Sequence, residues 1–213
     1  MPASDPIDTL CKALGLRPDA TQLGALHDFL ALLQRWNATY NLTAVREPEA
    51  MRIQHLGDCL AVVRPLSTRG PSGRLLDVGS GGGLPGVVLA IMQPTWDVTC
   101  VDAVGKKAAF IRQAAGHLRL TNLHAAHARV QDLRLPPFDL ITSRAFASLA
   151  DFTTWSASHL SPAGVWMAMK GKAPLDEIAA LPPEIEVFHV EPVQVPGLDA
   201  DRCLVWLRKR GTA

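Results

Sequence analysis

The feature that most constrains this chain is an apolar strand that ends in an acid and runs directly into a glycine-rich turn. The segment 74–86 reads RLLDVGSGGGLPG and is followed by the apolar stretch 87–92. Glycine reaches positive φ and lets a ligand approach the bare backbone, which a Cβ would prevent. Pro85 suits a first helical turn, where its missing N–H is no loss. The segment predicts a strand, a turn and a helix, with a nucleotide-like ligand at the turn.

Beyond the turn, strand-like and helix-like segments alternate. Strands are expected at 97–101, 123–128, 138–142 and 164–169, and helices at 106–118 and 149–159. Such alternation favours a mostly parallel sheet with helices on both faces. The strand-like runs 186–193 and 203–209 have no helix between them and predict a closing antiparallel hairpin. A sheet that ends in this way resembles the class I methyltransferase architecture, whereas a dinucleotide dehydrogenase continues with parallel strands.

The first 68 residues have a different pattern. Apolar spacing predicts two helices within 8–34, separated at Pro18 and Asp19, then a turn-rich connector at 36–45 and a further helix at 48–63. We therefore expect an N-terminal helical extension or lid at 1–68. Residues 69–213 are expected to form one Rossmann-like α/β domain with a mostly parallel, seven-stranded sheet.

Composition restricts the classes of function. A hydrophobic content of 48% and a charged content of 19% indicate an ordered globular chain. The formal net charge is only +1, so any nucleic-acid contact must be a local basic patch. The four cysteines form no C-x-x-C or Cys/His cluster, which predicts buried thiols and no metal site. The N-terminus lacks the pattern of a secretory signal, and we expect a cytoplasmic monomer without a membrane segment.

Two acids help to identify the ligand. Asp102 closes the second strand about 20 residues beyond the turn, where a nucleotide fold places its ribose-binding acid. Asp77 precedes the first glycine by two residues and suits the cationic amino end of S-adenosylmethionine, whereas it would repel a dinucleotide pyrophosphate. Its structural alternative is to cap backbone N–H groups of a plain turn. Residues 81–86 also match G-x-G-x-x-G, so a nicotinamide-dependent oxidoreductase stays open.

Three further segments narrow the family. They are WNATYNLTAVR at 36–46, VDAVGKK at 101–107 and ITSRAFASL at 141–149. Together with the GLPG turn they closely resemble the small-subunit ribosomal RNA guanine-N7 methyltransferase G family (RsmG, also GidB), over nearly the whole chain. The glycine loop reads GSGGG where relatives often have GTGPG, which leaves the backbone requirement intact.

The resemblance implies methyl transfer from S-adenosylmethionine to N7 of one guanine in the 16S ribosomal RNA decoding region, the 530 loop. It implies cofactor contacts at Gly79, Leu84, Val130, Gln131 and Arg144, to which the residue patterns add Asp77, Gly81 and Asp102. Arg144 has pairing with a nearby carboxylate as its structural alternative. Guanine N7 attacks through an in-plane lone pair and loses no proton, so no catalytic base is assigned.

The acceptor side is expected at basic residues near the carboxyl ends of the strands, because the loops there surround the ligand crevice of an open α/β sheet. These residues are Arg46, Lys106, Lys107, Arg129, Arg144, Lys170, Lys172 and Arg202. The predicted substrate contacts are Lys106, Arg129, Lys170 and Arg202. Lys170 is the first choice, with structural pairing as its alternative. A ribosome-assembly factor whose methyl transfer is secondary or absent also stays open.

Overall fold

The central strands are apolar on both faces, as strands of a parallel sheet covered by helices must be. Leu75, Leu76 and Val78 of the first strand are all buried. In the computed structural model, which describes residues 5–211, the chain forms one seven-stranded sheet with strand order β3-β2-β1-β4-β5-β7-β6. The strands are β1 Gly73–Val78, β2 Trp96–Asp102, β3 Leu123–His127, β4 Phe138–Arg144, β5 Leu160–Lys170, β6 Ile185–Pro192 and β7 Cys203–Lys209.

Pairing within the sheet confirms the predicted class. Strands β1 to β5 pair in parallel, while β7 is antiparallel to both β5 and β6. The final hairpin therefore inserts its second strand between β5 and β6. This is the ending of a class I methyltransferase sheet and not the parallel continuation of a dinucleotide dehydrogenase.

Helices cover both faces of the sheet. They are α1 Pro6–Ala13, α2 Ala20–Tyr40, α3 Pro48–Met51, α4 Asp58–Leu60, α5 Val63–Ser67, α6 Gly86–Met92, α7 Gly105–His117, α8 Leu149–Ser156 and α9 Leu175–Ala179. Short 3₁₀ turns lie at Val130–Asp132 and Ala157–His159. No helix among residues 5–211 is long and apolar enough to cross a membrane.

Two expectations for the N-terminal segment were wrong. The predicted connector at 36–45 is helical as far as Tyr40, because the polar residues at its start lie on the last turns of α2. Asn41 then ends α2 in the left-handed conformation, with φ of 49°. The predicted single helix at 48–63 is interrupted by a π-helical turn at Arg52–Gly57, and Val63 begins the separate α5. Apolar spacing does not distinguish an α-turn from a π-turn, which adds one residue per hydrogen-bonded ring.

The N-terminal helices and the sheet share one hydrophobic core. Leu26, Phe29 and Leu33 of α2 are fully buried in the same cluster as Val87 of α6 and Phe110 of α7. The boundary at residue 68 marks the change from helices to strands. The lid role of residues 1–68 stays a prediction.

Candidate functional site

The glycine turn lies at the carboxyl end of β1, and its glycines serve different purposes. Gly79 and Gly81 both have positive φ, 69° and 57°. A Cβ on Gly81 would have only the Gly79 carbonyl oxygen nearby, at 3.9 Å, whereas one on Gly79 would lie 2.5 Å from the Phe146 ring. A Cβ on Gly86 would lie 2.3 Å from the Cys100 sulfur. Gly81 thus has room for a Cβ, while Gly86 is required by the packing of α6 on β2.

Asp77 is completely buried beneath this turn. Its Oδ2 accepts a hydrogen bond of 2.9 Å from the Gly86 amide, which is the capping arrangement that the sequence left open. Its Oδ1 is buried and has no hydrogen-bond partner among the described residues. Burial raises the pKa of Asp77 from 3.8 to about 7, although the Gly86 amide and the Arg144 guanidinium oppose the rise. An unpartnered buried carboxylate oxygen is expensive, and a cationic ligand group would satisfy it.

Asp102 closes β2 and organises the opposite wall. Its Oδ2 accepts from the Gly81 amide at 2.9 Å, and its Oδ1 accepts from the Val104 amide at 2.8 Å. The Lys107 ammonium lies 3.8 Å from Oδ2. Each carboxylate oxygen keeps a second lone pair for a ligand hydroxyl. Asp102 is therefore held rigidly at the place where a ribose acid is expected.

A cavity of about 340 Å³ opens beside these residues at the ends of β1 and β2. Of the predicted cofactor residues, Gly79, Asp102, Val130 and Gln131 line this cavity, which we call the first cavity. Arg129, predicted to contact RNA, also lines it. Asp77, Gly81 and Leu84 do not line it, and Leu84 is 3% exposed and packs in the core behind the turn. Phe146 and Trp155 complete the wall, with ring centroids 5.8 Å apart in an edge-to-face arrangement.

A second cavity, of about 470 Å³, lies between the π-helical turn and the ends of β4 and β5. Arg144 and Ala145 line this second cavity, whereas the next residue, Phe146, lines the first. Ala145 has φ of 52°, a strained conformation for a residue with a Cβ. The turn after β4 therefore borders both cavities. Such strain is commonly maintained at functional sites.

A carboxylate flanked by two arginines forms the base of the second cavity. Asp58 Oδ1 accepts from Arg202 Nε at 2.8 Å, and Asp58 Oδ2 lies 3.4 Å from Arg144 Nη1. The same Arg144 nitrogen donates to the Gln54 carbonyl at 3.2 Å. The structure thus places Arg144 in the pairing that was its structural alternative. Asp58, to which the sequence analysis assigned no role, therefore links the two predicted residues Arg144 and Arg202.

His55 extends this network toward the connector after α2. Its Nδ1 lies 3.3 Å from Arg144 Nη1, and its Nε2 lies 2.6 Å from Thr43 Oγ1. Burial lowers the pKa of His55 to about 4, and the Arg144 charge adds to the effect. Asn37 fixes the same connector, because its side chain accepts from the Thr43 amide and donates to the Val45 carbonyl. The ring is therefore neutral and held on both sides.

The remaining predicted basic residues occupy different surroundings. Lys170 pairs with Glu177 at 2.8 Å and donates to the Ala147 carbonyl, while lining the second cavity. Lys106 and Arg129 are exposed. Arg202 lines the second cavity, so the structure brings together Arg144, Lys170 and Arg202 but leaves Lys106 apart from them. Within residues 5–211, no cluster of histidine, cysteine and acidic side chains has the arrangement of a metal site.

Sequence reasoning missed Trp155 and Thr43. Trp155 lies on α8, where an apolar residue at helical spacing ordinarily belongs to the core, yet it is 37% exposed at the first cavity. Thr43 belongs to the quoted segment 36–46, and its role depends on a contact across 12 residues to His55. A local pattern contains no signal for either placement.

Comparison with known proteins agrees with this geometry. The family model described as rRNA small subunit methyltransferase G matches residues 22–205. A ribosomal RNA small subunit methyltransferase G from Acidovorax sp. (strain JS42) is 61% identical over 206 residues, covering 92% of this chain and 91% of the relative.

Solved structures support the fold. TrmN from Thermus thermophilus superposes with a TM-score of 0.56 at 25% identity, over 70% of this chain and 48% of that chain. The glycopeptide N-methyltransferase MtfA, complexed with S-adenosyl-L-methionine, gives 0.59 at 14% identity, over 70% and 93%. With the family model spanning most of the chain, the conclusion is direct: this chain belongs to the rRNA small subunit methyltransferase G family.

Proposed function

We propose that this protein transfers a methyl group from S-adenosylmethionine to N7 of a guanine in the 530 loop of 16S ribosomal RNA. The observation that carries the proposal is the family match. The matched residues 22–205 include every predicted cofactor residue and the strand ends that border both cavities. The two cavities add physical support, since a cofactor and an acceptor base need neighbouring sites and consecutive residues of the turn after β4 line the two cavities.

The described residues fit S-adenosylmethionine. The unpartnered oxygen of Asp77 suits the cationic amino group, and Asp102 suits the ribose hydroxyls. Gly79 and Gly81 keep side chains away from the approach to the backbone. Val130 and Gln131 lie along the first cavity, whose aromatic wall of Phe146 and Trp155 suits a flat base. When bound, the cofactor supplies an electrophilic methyl group on a sulfonium centre.

The protein's contribution to catalysis is orientation. Guanine N7 carries an in-plane lone pair, so the residues of the site need not remove a proton before attack. Holding nucleophile, methyl carbon and leaving sulfur in line can supply on the order of 7 to 11 kcal/mol of the barrier reduction. Arg144, Ala145 and Phe146 lie where the two cavities adjoin, which is the place where such an alignment is needed. The segment SRAF at 143–146 also lacks the Asn/Asp-Pro-Pro-aromatic motif that serves exocyclic amines.

The acceptor base must leave its stack to reach such a site, as in other enzymes that modify bases. Phosphate contacts are proposed at Lys106, Arg129, Lys170 and Arg202. Lys106 and Arg129 are exposed and available to RNA, whereas Lys170 and Arg202 already hold carboxylate partners. Action as a cytoplasmic monomer completes the proposal, and light scattering on the purified protein tests the oligomeric state.

Methyl transfer in vitro tests the function. Wild-type protein with labelled S-adenosylmethionine should modify small subunits that lack the mark, and digestion should release N7-methylguanine. Gly81→Asp places a carboxylate in the open space beside the turn and should abolish cofactor binding. Gly116→Asp, which adds the same charge to an exposed helix position with nothing nearby, should retain it. Label in an exocyclic amine or in no RNA would contradict the proposal.

A further inference from the structure

The basic side chains that line the second cavity already have carboxylate partners. Arg144 and Arg202 share the Asp58 carboxylate, and Lys170 pairs with Glu177. These cations are therefore fixed in position, and their charge toward the cavity is reduced by adjacent carboxylates. A neutral hydrogen-bonding group becomes the better candidate for direct contact with a base.

Thr43 provides such a group. Arginine donates only, so the contact between Arg144 Nη1 and His55 Nδ1 favours the tautomer in which Nδ1 accepts and the ring proton resides on Nε2. In this tautomer Nε2 donates to Thr43 Oγ1, which also accepts from the Val45 amide at 3.2 Å. With both lone pairs of Oγ1 engaged, the hydroxyl proton is left to donate. Thr43 lines the second cavity. Among the described residues no acceptor is left for the hydroxyl proton, so a group bound in the cavity can accept it.

We propose that the second cavity receives the acceptor guanine and that the Thr43 hydroxyl, oriented by His55, donates a hydrogen bond to its O6 atom. This inference rests on the proposed function and assigns the substrate side of the same site. The consecutive residues Ala145 and Phe146 line the second and the first cavity, so the two cavities are neighbours, as an acceptor site and a cofactor site must be. O6 is the acceptor that lies beside N7 on guanine, so a donor there positions N7 without occupying its lone pair.

The charge of the product favours a neutral donor over a cation. Methylation at N7 leaves a positive charge on the ring, which a free ammonium or guanidinium beside O6 would oppose. The His55 ring stays neutral in its buried position, and the Thr43 hydroxyl carries no charge. Asp58 holds both arginines at the back of the cavity and acts as a positioning residue.

A cycle of protein and RNA changes tests the contact. Thr43→Val removes the hydroxyl at constant shape, Thr43→Ser keeps it, and Thr121→Val is the matched control at an exposed turn before β3. Small subunits are reconstituted with guanine, inosine or 2-aminopurine at the acceptor position. Inosine keeps O6 and loses the 2-amino group; 2-aminopurine keeps N7 and loses O6.

We expect Thr43→Val to lower kcat/KM about tenfold on guanine and on inosine, as loss of one such hydrogen bond implies, and to change little on 2-aminopurine. Thr43→Ser and Thr121→Val should stay near wild type. The Kd for S-adenosylhomocysteine should stay unchanged in all variants, and the Tm should stay unchanged in Thr43→Ser and Thr121→Val. Thr43→Val also removes the acceptor of the His55 Nε2 and Val45 N–H groups and should lower the Tm, so the comparison among the three RNAs carries the test.

An equal loss on all three RNAs, or a parallel loss of cofactor affinity, would overturn this inference alone. Failure of the wild-type protein to methylate guanine at N7 would overturn the proposed function, and this inference with it.

Discussion

The protonation of Asp77 is coupled to folding, because burial raises its pKa from 3.8 to about 7. Between these pH values the folded protein holds a proton on Asp77 that the unfolded chain has released, so the Asp77 contribution to the free energy of unfolding falls as the pH rises, by on the order of 4 kcal/mol at most. His55, whose pKa is lowered from 6.5 to about 4, contributes in the opposite direction between those two values. Asp77→Asn still presents an oxygen to Gly86 and should leave the His55 contribution unopposed, so that stability rises more steeply with pH than in the wild type. Thermal denaturation across that pH range measures the slope; an unchanged slope in the variant would exclude a contribution from Asp77.

Cofactor binding should reverse the preference of Asp77 for its protonated form. A cationic amino group beside Oδ1 favours the carboxylate, so binding near neutral pH should release a proton from Asp77. Calorimetric titrations with S-adenosylmethionine in buffers of different ionisation enthalpy detect that release. Asp77→Asn should eliminate it and weaken binding about tenfold or more, as expected for loss of a charge-assisted bond. Wild-type affinity and proton release in the variant would show that the amino group binds elsewhere.

Gly86 and Gly81 should respond differently to the same substitution. Gly86→Ala places a methyl group against Cys100 and should destabilise the protein by about 1–3 kcal/mol, the usual effect of overpacking. In Gly81→Ala the added methyl group has room, but the positive φ should lower the free energy of unfolding by about 1–2 kcal/mol. The methyl group should also narrow the approach of a ligand to the turn. Denaturant melts and S-adenosylhomocysteine titrations together separate the effects. The assignments would be reversed if Gly86→Ala weakened binding while the protein stayed fully folded and Gly81→Ala left binding unchanged.

At the scale of elements, the π-helical turn Arg52–Gly57 connects the N-terminal helices to the sheet edge. His55 belongs to this turn and contacts Arg144 at the end of β4. Asp58 directly follows the turn and accepts a hydrogen bond from Arg202, just before β7. Asp58→Ala leaves two half-buried guanidinium groups without their shared carboxylate, which should cost about 3–5 kcal/mol of stability. Asp151→Ala, at the first turn of α8, is a milder control that removes one contact to Ser148. Equal Tm values for the two variants would contradict a central role for Asp58.

The sequence predicted elements better than contacts. Strand bounds agree closely, because the apolar runs and the glycine turn are local patterns. The end of α2 and the π-helical turn were missed, since both are decided by packing onto the sheet and by the Asn37 bonds to the connector. Asp58 pairs with Arg144 and Arg202, which are 86 and 144 residues away along the chain. A local sequence motif cannot predict contacts between residues so far apart.

For the whole molecule, near-neutral net charge sets how RNA is recognised. The formal charge of +1 gives little long-range attraction, so binding depends on a few local contacts. We expect the affinity for small subunits to fall with salt at a slope equivalent to only a few phosphate contacts. Filter binding over a salt series measures this slope, and Lys106→Ala should reduce it by about one contact. A steep slope typical of many contacts, unchanged by Lys106→Ala, would contradict a small basic patch.

Mass-spectrometric mapping of 16S ribosomal RNA from cells with and without the protein shows whether this chain methylates one guanine at N7. We expect an N7-methylguanine in the 530 loop that disappears when the protein is removed and returns when it is restored. An identical modification pattern in both samples would rule out this activity, as would loss of a methyl group at a different atom or position.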